Sequence, residues 1–259
     1  MFLKKSKSIN ILSSNTKILI LLPHLDDEFA ILPFLKNLLK QNLLIDIIYC
    51  AERLEENEKA LLRREENNTV LSAMGVCKEN IIYLNDYMEI GDLELYKSSK
   101  EIYGFVINRH MSIKYDTVIT LSLEGGHPDH DALALIVKKI TDSTKLDAMY
   151  FPAYNYDTTF FLLPVRVLEP LDTQKKYFRH YRLSFMAWYD SLKCLINYST
   201  ERKATIKLLP FILIKTFLSK KIWYSKKIEL ESINWQKSLT QVNYKIPFKK
   251  IEDQINKIK

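Results

Sequence analysis

Four side chains able to bind a metal or move a proton, His24, Asp26, Asp27 and Glu28, fall inside the stretch LPHLDDEFAI (22–31). Three adjacent carboxylates repel one another and lose hydration on burial unless a cation or a helix N-terminus offsets them. A second cluster, EGGHPDHDA (124–132), holds two of the chain's five glycines and two of its five histidines. His127 and His130 stand at i, i+3, Pro128-Asp129 reads as the opening turn of a helix, and Gly125-Gly126 suit a loop that needs positive φ or close backbone approach. Two imidazoles and one carboxylate serve a divalent transition metal and leave positions for water and substrate. His24 and Asp27 would supply one imidazole and the carboxylate, and one of His127 and His130 the second imidazole. Singly, these residues have plainer explanations as capping acids, hydrogen-bonded histidines or loop residues. The metal reading rests on their conjunction at the ends of two strands.

Those strands belong to a regular alternation. Apolar, β-branched runs at 17–22, 43–51, 80–85, 115–122 and 146–153 predict buried strands, and helical spacing covers roughly 27–41, 56–74, 93–113 and 129–142. This rhythm predicts an α/β fold with a mostly parallel sheet flanked by helices, whose ligands bind beyond the carboxyl ends of the strands. Pro33 is expected to kink the first helix or to mark a short 3₁₀ start. Further on, 165–170 reads as another strand and 172–198 as one long aromatic-rich helix. The expected organisation is a catalytic domain over 1–170 and a mainly helical, basic extension over 171–259 packed on the same domain.

Charge is unevenly spread. The net +7 conceals 14 Lys and Arg against 5 Asp and Glu in residues 201–259, net +9, with 24 against 26 in residues 1–200. A basic region can meet phosphate-bearing partners or anionic lipid, although a solvated lysine-rich surface explains it equally well. KLLPFILIKTFL (207–218), followed by a basic, aromatic stretch to 227, reads as a packed helix or as a helix lying at a membrane surface. Three widely spaced cysteines, Cys50, Cys77 and Cys194, suggest neither a disulfide framework nor a zinc knuckle. A cytoplasmic location follows as the expectation, with peripheral contact at the inner face of a membrane through 207–227. Nucleic acid is not expected as a partner, since no recognition module is present.

With both clusters in view, PHLDDE (23–28) and GHPDH (126–130) resemble the two motifs of the PIG-L or LmbE-like family of zinc-dependent N-acetylglucosaminyl deacetylases. RREENNTVLSAMG (63–75) is similar to that family's Arg-x-x-Glu helix, through Arg63, Glu66, Met74 and Gly75. The resemblance covers roughly residues 15–155 and implies a Rossmann-like fold and removal of an N-acetyl group from a glucosamine-containing glycoconjugate; residues 207–227 make a lipid-linked sugar the expected form, a nucleotide-linked one being the other. It implies that His24, Asp27 and His130 hold Zn²⁺, with Fe²⁺ as the other candidate for such a donor set. Asp26 would be the general base, and His127 would stabilise the oxyanion and protonate the leaving amine. Asp129 would orient an imidazole, Glu28 would hold backbone or ligand from the helix start, and Arg63 would pair with an acidic motif residue or hold substrate, its plainer explanation being a surface pair with Glu66. Leu25 replaces the family's proline, Ala30-Ile31-Leu32-Pro33 replace its glycines, and Gly125 stands where some members carry a tyrosine.

Two other readings compete. One is an N-deacylase or amidase acting on a different molecule, such as a thiol conjugate, with the discriminating contacts in loops 85–98 and 154–163. The other is a glycan- or membrane-binding protein without catalysis.

Overall fold

The computed structural model describes residues 16–41, 43–52, 57–155, 166–200, 210, 212–213, 219–231 and 233–258. Five parallel strands form the central sheet: β1 (Lys17–Leu22), β2 (Leu44–Tyr49), β3 (Ile81–Tyr83), β4 (Thr117–Leu121) and β5 (Asp147–Phe151). Their spatial order is β3-β2-β1-β4-β5, so β1 lies at the centre, with Ile18, Leu19 and Ile20 in register with Thr117, Val118 and Ile119 of β4. The chain runs outward from β1 to β3 and then returns to the other side of β1. That reversal opens a crevice between the carboxyl ends of β1 and β4, where sheets of this kind place ligands.

Alternation along β1 explains its burial on both faces. Ile18, Ile20 and Leu22 enter one core cluster with α1 (Leu32–Leu39), while Leu19 and Leu21 enter the other with α3 (Ser99–Ile113) and α4 (Pro128–Ser143). All five are fully buried, each stabilising the fold by about 1.5–3 kcal/mol. Helix α2 (Asn57–Met74) ends at Gly75, whose φ of +103° lets the Val76 N–H reach back to the Leu71 carbonyl at 2.9 Å.

The helix expected over 27–41 divides. A 3₁₀ turn, Asp27–Ala30, precedes α1, and Pro33 occupies the first turn of α1, where its missing N–H removes no helix hydrogen bond. Likewise a 3₁₀ turn, Leu95–Ser98, leads into α3. The strand expected over 165–170 is reduced to two residues, β7 (Arg166–Val167), paired antiparallel with β6 (Tyr154–Asn155).

The long helix expected over 172–198 is corrected. It comprises a 3₁₀ turn, Asp172–Tyr177, a strand, β8 (Arg179–Arg182), and a shorter helix, α5 (Phe185–Ile196). Strand β8 pairs antiparallel with β9 (Lys221–Tyr224), some forty residues downstream, and Tyr181 packs edge-on against Phe34 at 4.9 Å. This distant pairing overrides the helical spacing. The last helix, α6 (Phe248–Asn256), buries Phe248, Ile251 and Ile255 in the cluster that holds Leu133 and Ile136 of α4.

Among the described residues no helix is long and apolar enough to cross a membrane. Most of the segment 207–218, and residues 156–163 of the loop 154–163, lie outside the described residues.

Candidate metal centre

The turn after β1 is fixed beside β2 by two backbone bonds, Cys50 N–H to Leu22 O at 2.9 Å and Ala51 N–H to Pro23 O at 2.8 Å. Leu25, in place of the family's proline, is buried in the apolar core and anchors the turn by packing. Asp26 then adopts a φ of 88°, a left-handed conformation that costs a non-glycine residue about 1–2 kcal/mol. This twist separates three adjacent carboxylates that would otherwise repel one another.

Each acid has its own partners. Asp26 remains one-third exposed and faces Arg63, whose guanidinium lies 3.5 Å from Asp26 Oδ1 and donates to the Leu25 carbonyl at 3.2 Å. Asp27 is buried between two histidines, its Oδ2 3.1 Å from His24 Nδ1 and its Oδ1 3.3 Å from His130 Nε2. Burial opposes its ionisation, but the charges and hydrogen bonds of His130 and His24 outweigh that and hold the carboxyl well below the usual range. Glu28 points into the core, where Tyr49 OH and Asn67 Nδ2 each donate to it at 2.9 Å. Burial pushes its pKa up to about 7. Each of the three acids is thus offset by partners of its own.

Across the crevice, the loop after β4 is shaped by its glycines. Gly125 has a φ of +67°, and a Cβ on Gly126 would lie 2.3 Å from the Tyr154 carbonyl oxygen. Asp131 ties the loop down, accepting from the Glu124 and Gly125 N–H groups at 3.0 and 2.9 Å. His127 is the N-cap of α4, and its Nδ1 accepts from the Asp129 N–H at 3.2 Å. That bond places the ring proton on Nε2. Burial, followed by the positive neighbours His24 and His130, drives the His127 pKa well below its ordinary value.

The two clusters meet. Ring centroids of His24, His127 and His130 lie 4.9, 5.1 and 5.7 Å apart, and one nitrogen from each falls within 4.8 Å of the others. Asp129, fully buried, accepts from His24 Nε2 at 3.0 Å and from the Leu93 and Leu95 N–H groups at 2.7 and 3.1 Å. It therefore steadies the imidazole of the first motif and also fastens the loop after β3. Donors about 2.0–2.2 Å from one Zn²⁺ stand roughly 3–3.5 Å from each other. Asp27 meets His24 and His130 through different carboxylate oxygens, and two imidazoles with one carboxylate are donors whose chemistry suits a divalent transition metal.

Arg63 does not pair with Glu66. Glu66 instead accepts from the Ser199 and Thr200 N–H groups at 3.0 and 3.1 Å and from their hydroxyls, joining α2 to the end of α5.

Three site residues were not singled out from the sequence. Asp92 Oδ1 lies 3.3 Å from His24 Nε2 and 3.8 Å from His127 Nε2. Tyr154 brings its hydroxyl to 3.5 Å from His130 Nε2, and the Tyr244 ring packs edge-on against His127 at 4.8 Å. The first two lie in the loops 85–98 and 154–163 already marked for substrate contact. Tyr244 carries no local signal.

Comparison with known proteins finds the same fold. Residues 19–141 match the model of the PIG-L family, described as GlcNAc-PI de-N-acetylase. A deacetylase from teicoplanin biosynthesis superposes with a TM-score of 0.59 at 12% identity, covering 83% of this chain and all of that one. A zinc-inhibited form of teicoplanin deacetylase gives 0.58 at 12% identity over the same shares. The 4-carboxy-2-hydroxymuconate hydratase of Pseudomonas putida gives 0.53 at 12% identity, covering 83% of this chain and 98% of that one. The fold thus serves more than one reaction, and the side chains must choose between them. No curated protein matches the chain in sequence.

Proposed function

We propose, for a chain whose residues 19–141 match the PIG-L family model, a metal-dependent deacetylase that hydrolyses the N-acetyl group of an N-acetylglucosamine-type sugar in a glycoconjugate. The observation that carries this reading is the division of labour at 26–28. Asp27 faces two histidines, while Asp26 faces Arg63 and stays one-third exposed.

In this reading His24, Asp27 and His130 hold the metal, Zn²⁺ or, with the same donors, Fe²⁺. When bound, it supplies an acidified water and polarises the amide carbonyl. Asp26 accepts the proton of the attacking water, with Arg63 fixing the carboxylate for that task. His127 presents its Nε2–H to the developing oxyanion, since its Nδ1 is committed to the Asp129 N–H. A neutral imidazole is a poor acid, so the amine takes its proton from Asp26 as the C–N bond breaks. This moves amine protonation away from His127, the residue to which the resemblance gave it. Asp129 holds His24, and Tyr154, Tyr244 and Asp92 line the space around the reacting amide.

Acetate release from a panel of N-acetylglucosamine conjugates, lipid- and nucleotide-linked ones included, tests the proposal. Asp26→Asn should reduce kcat by about 10²-fold or more. Undiminished turnover in that variant, or no acetate from any member of the panel with metal-loaded wild type, would sink it.

A further inference from the structure

Away from the crevice, the ribbon β8–β9 meets the start of α5 at a corner of the molecule. Arg182 stands directly opposite Lys221 in the antiparallel pairing, and the Leu183 N–H donates to the Lys220 carbonyl at 2.8 Å. Three exposed cations, Arg182, Lys220 and Lys221, are therefore crowded at one end of a two-stranded ribbon. Like charges placed opposite each other on paired strands are destabilising. Among the described residues none of the three makes an ion pair. An anion from outside the chain would relieve that repulsion.

Two residues beyond Leu183 the character of the surface changes. Phe185 is 60%, Met186 56% and Tyr189 41% exposed, whereas Ala187, Ser191 and Cys194 on the other side of α5 are buried. Phe185 and Tyr189 stack at 6.4 Å, which makes them one apolar face. Large apolar side chains grouped on a surface mark a contact site. Here they adjoin cations that lack acidic partners, a combination that fits the boundary between charged headgroups and acyl chains. A bilayer offers both chemistries at once and requires no shape complementarity.

We propose that this corner docks the protein on an anionic phospholipid surface, with Arg182, Lys220 and Lys221 against phosphates and Phe185, Met186 and Tyr189 in the headgroup region. The contact is separate from the metal centre.

Co-sedimentation of the full chain with vesicles of phosphatidylcholine, alone and mixed equally with phosphatidylglycerol, tests it without reference to deacetylation. Binding to the mixed vesicles, weakened by salt, is expected. Arg182→Gln with Lys221→Gln should lower partitioning about 25-fold, at roughly fivefold per cation. Phe185→Ser with Met186→Ser should lower it about tenfold or more. Lys249→Gln with Lys250→Gln, the same loss of charge on α6, should leave it unchanged, and melting curves matched to wild type would show that each variant is folded. No preference for anionic vesicles, or equal loss in the α6 variant, would overturn the proposal. Loss in the charge variant with full binding in the apolar one would do the same, pointing instead to an anionic polymer.

Discussion

The Thr240 hydroxyl donates to the Asp131 carboxylate at 2.7 Å, and both side chains are fully buried. Asp131 follows His130 directly and holds the glycine loop, so this bond couples the region after residue 233 to the second histidine cluster. The Leu239 N–H to Gly125 carbonyl bond, at 2.8 Å, reinforces the coupling and brings Tyr244 against His127. Thr240→Val should leave a buried carboxylate oxygen without its donor and cost about 1–3 kcal/mol. Thr240→Ser should recover most of the loss. Denaturant unfolding of both variants measures it.

Arg63 provides a second prediction. Because it bonds both the Leu25 carbonyl and Asp26, Arg63→Ala should lower kcat about tenfold by freeing the carboxylate, a positioning effect. Its contribution to stability should be under about 1 kcal/mol, as for other partly exposed ion pairs. Steady-state kinetics beside a melting curve would separate the two effects.

The adjacent glycines should differ in their tolerance of a methyl group. Gly125→Ala must place a side chain on a left-handed backbone, at a cost of about 1–2 kcal/mol. Gly126→Ala, on a backbone outside the left-handed region, must displace the Tyr154 carbonyl 2.3 Å from the new Cβ, and its loss should reach about 3 kcal/mol. Equilibrium unfolding gives the order directly.

Glu28 is the member of the acidic trio that acts as structure. Glu28→Ala strands the donors of Tyr49 and Asn67 in the core and should cost about 3 kcal/mol. Tyr49→Phe should cost less, and the double variant should lose less than the sum of the two. A double-mutant cycle read by urea unfolding checks the coupling.

The strands were legible because parallel strands buried on both faces read as continuous apolar runs, and KILILL matches β1 residue for residue. Their order was not legible, since nothing local in Thr117–Leu121 says that it returns to pair with β1. Strand β8 was hidden for the same reason: Arg179–Arg182 has an aromatic helical neighbourhood, and its strand identity comes from Lys221–Tyr224. Within the site, residues carried by compact motifs were found, His24 through Glu28 and His127 through His130. Asp92 and Tyr244 were missed because tertiary contacts alone bring them there. The 3₁₀ turn at Asp27–Ala30 was obscured by helical spacing continuous with α1, and the left-handed Asp26 has no compositional sign.

His24, Asp27 and His130 should together hold a catalytic metal. The most direct test is the metal content of protein purified without chelators, wild type beside His130→Ala, with folding of both checked by melting curves. Close to one equivalent of zinc or iron per wild-type chain is expected, and almost none in the folded variant. Wild-type protein that takes up no metal on reconstitution, or a variant that retains a full equivalent, would contradict it.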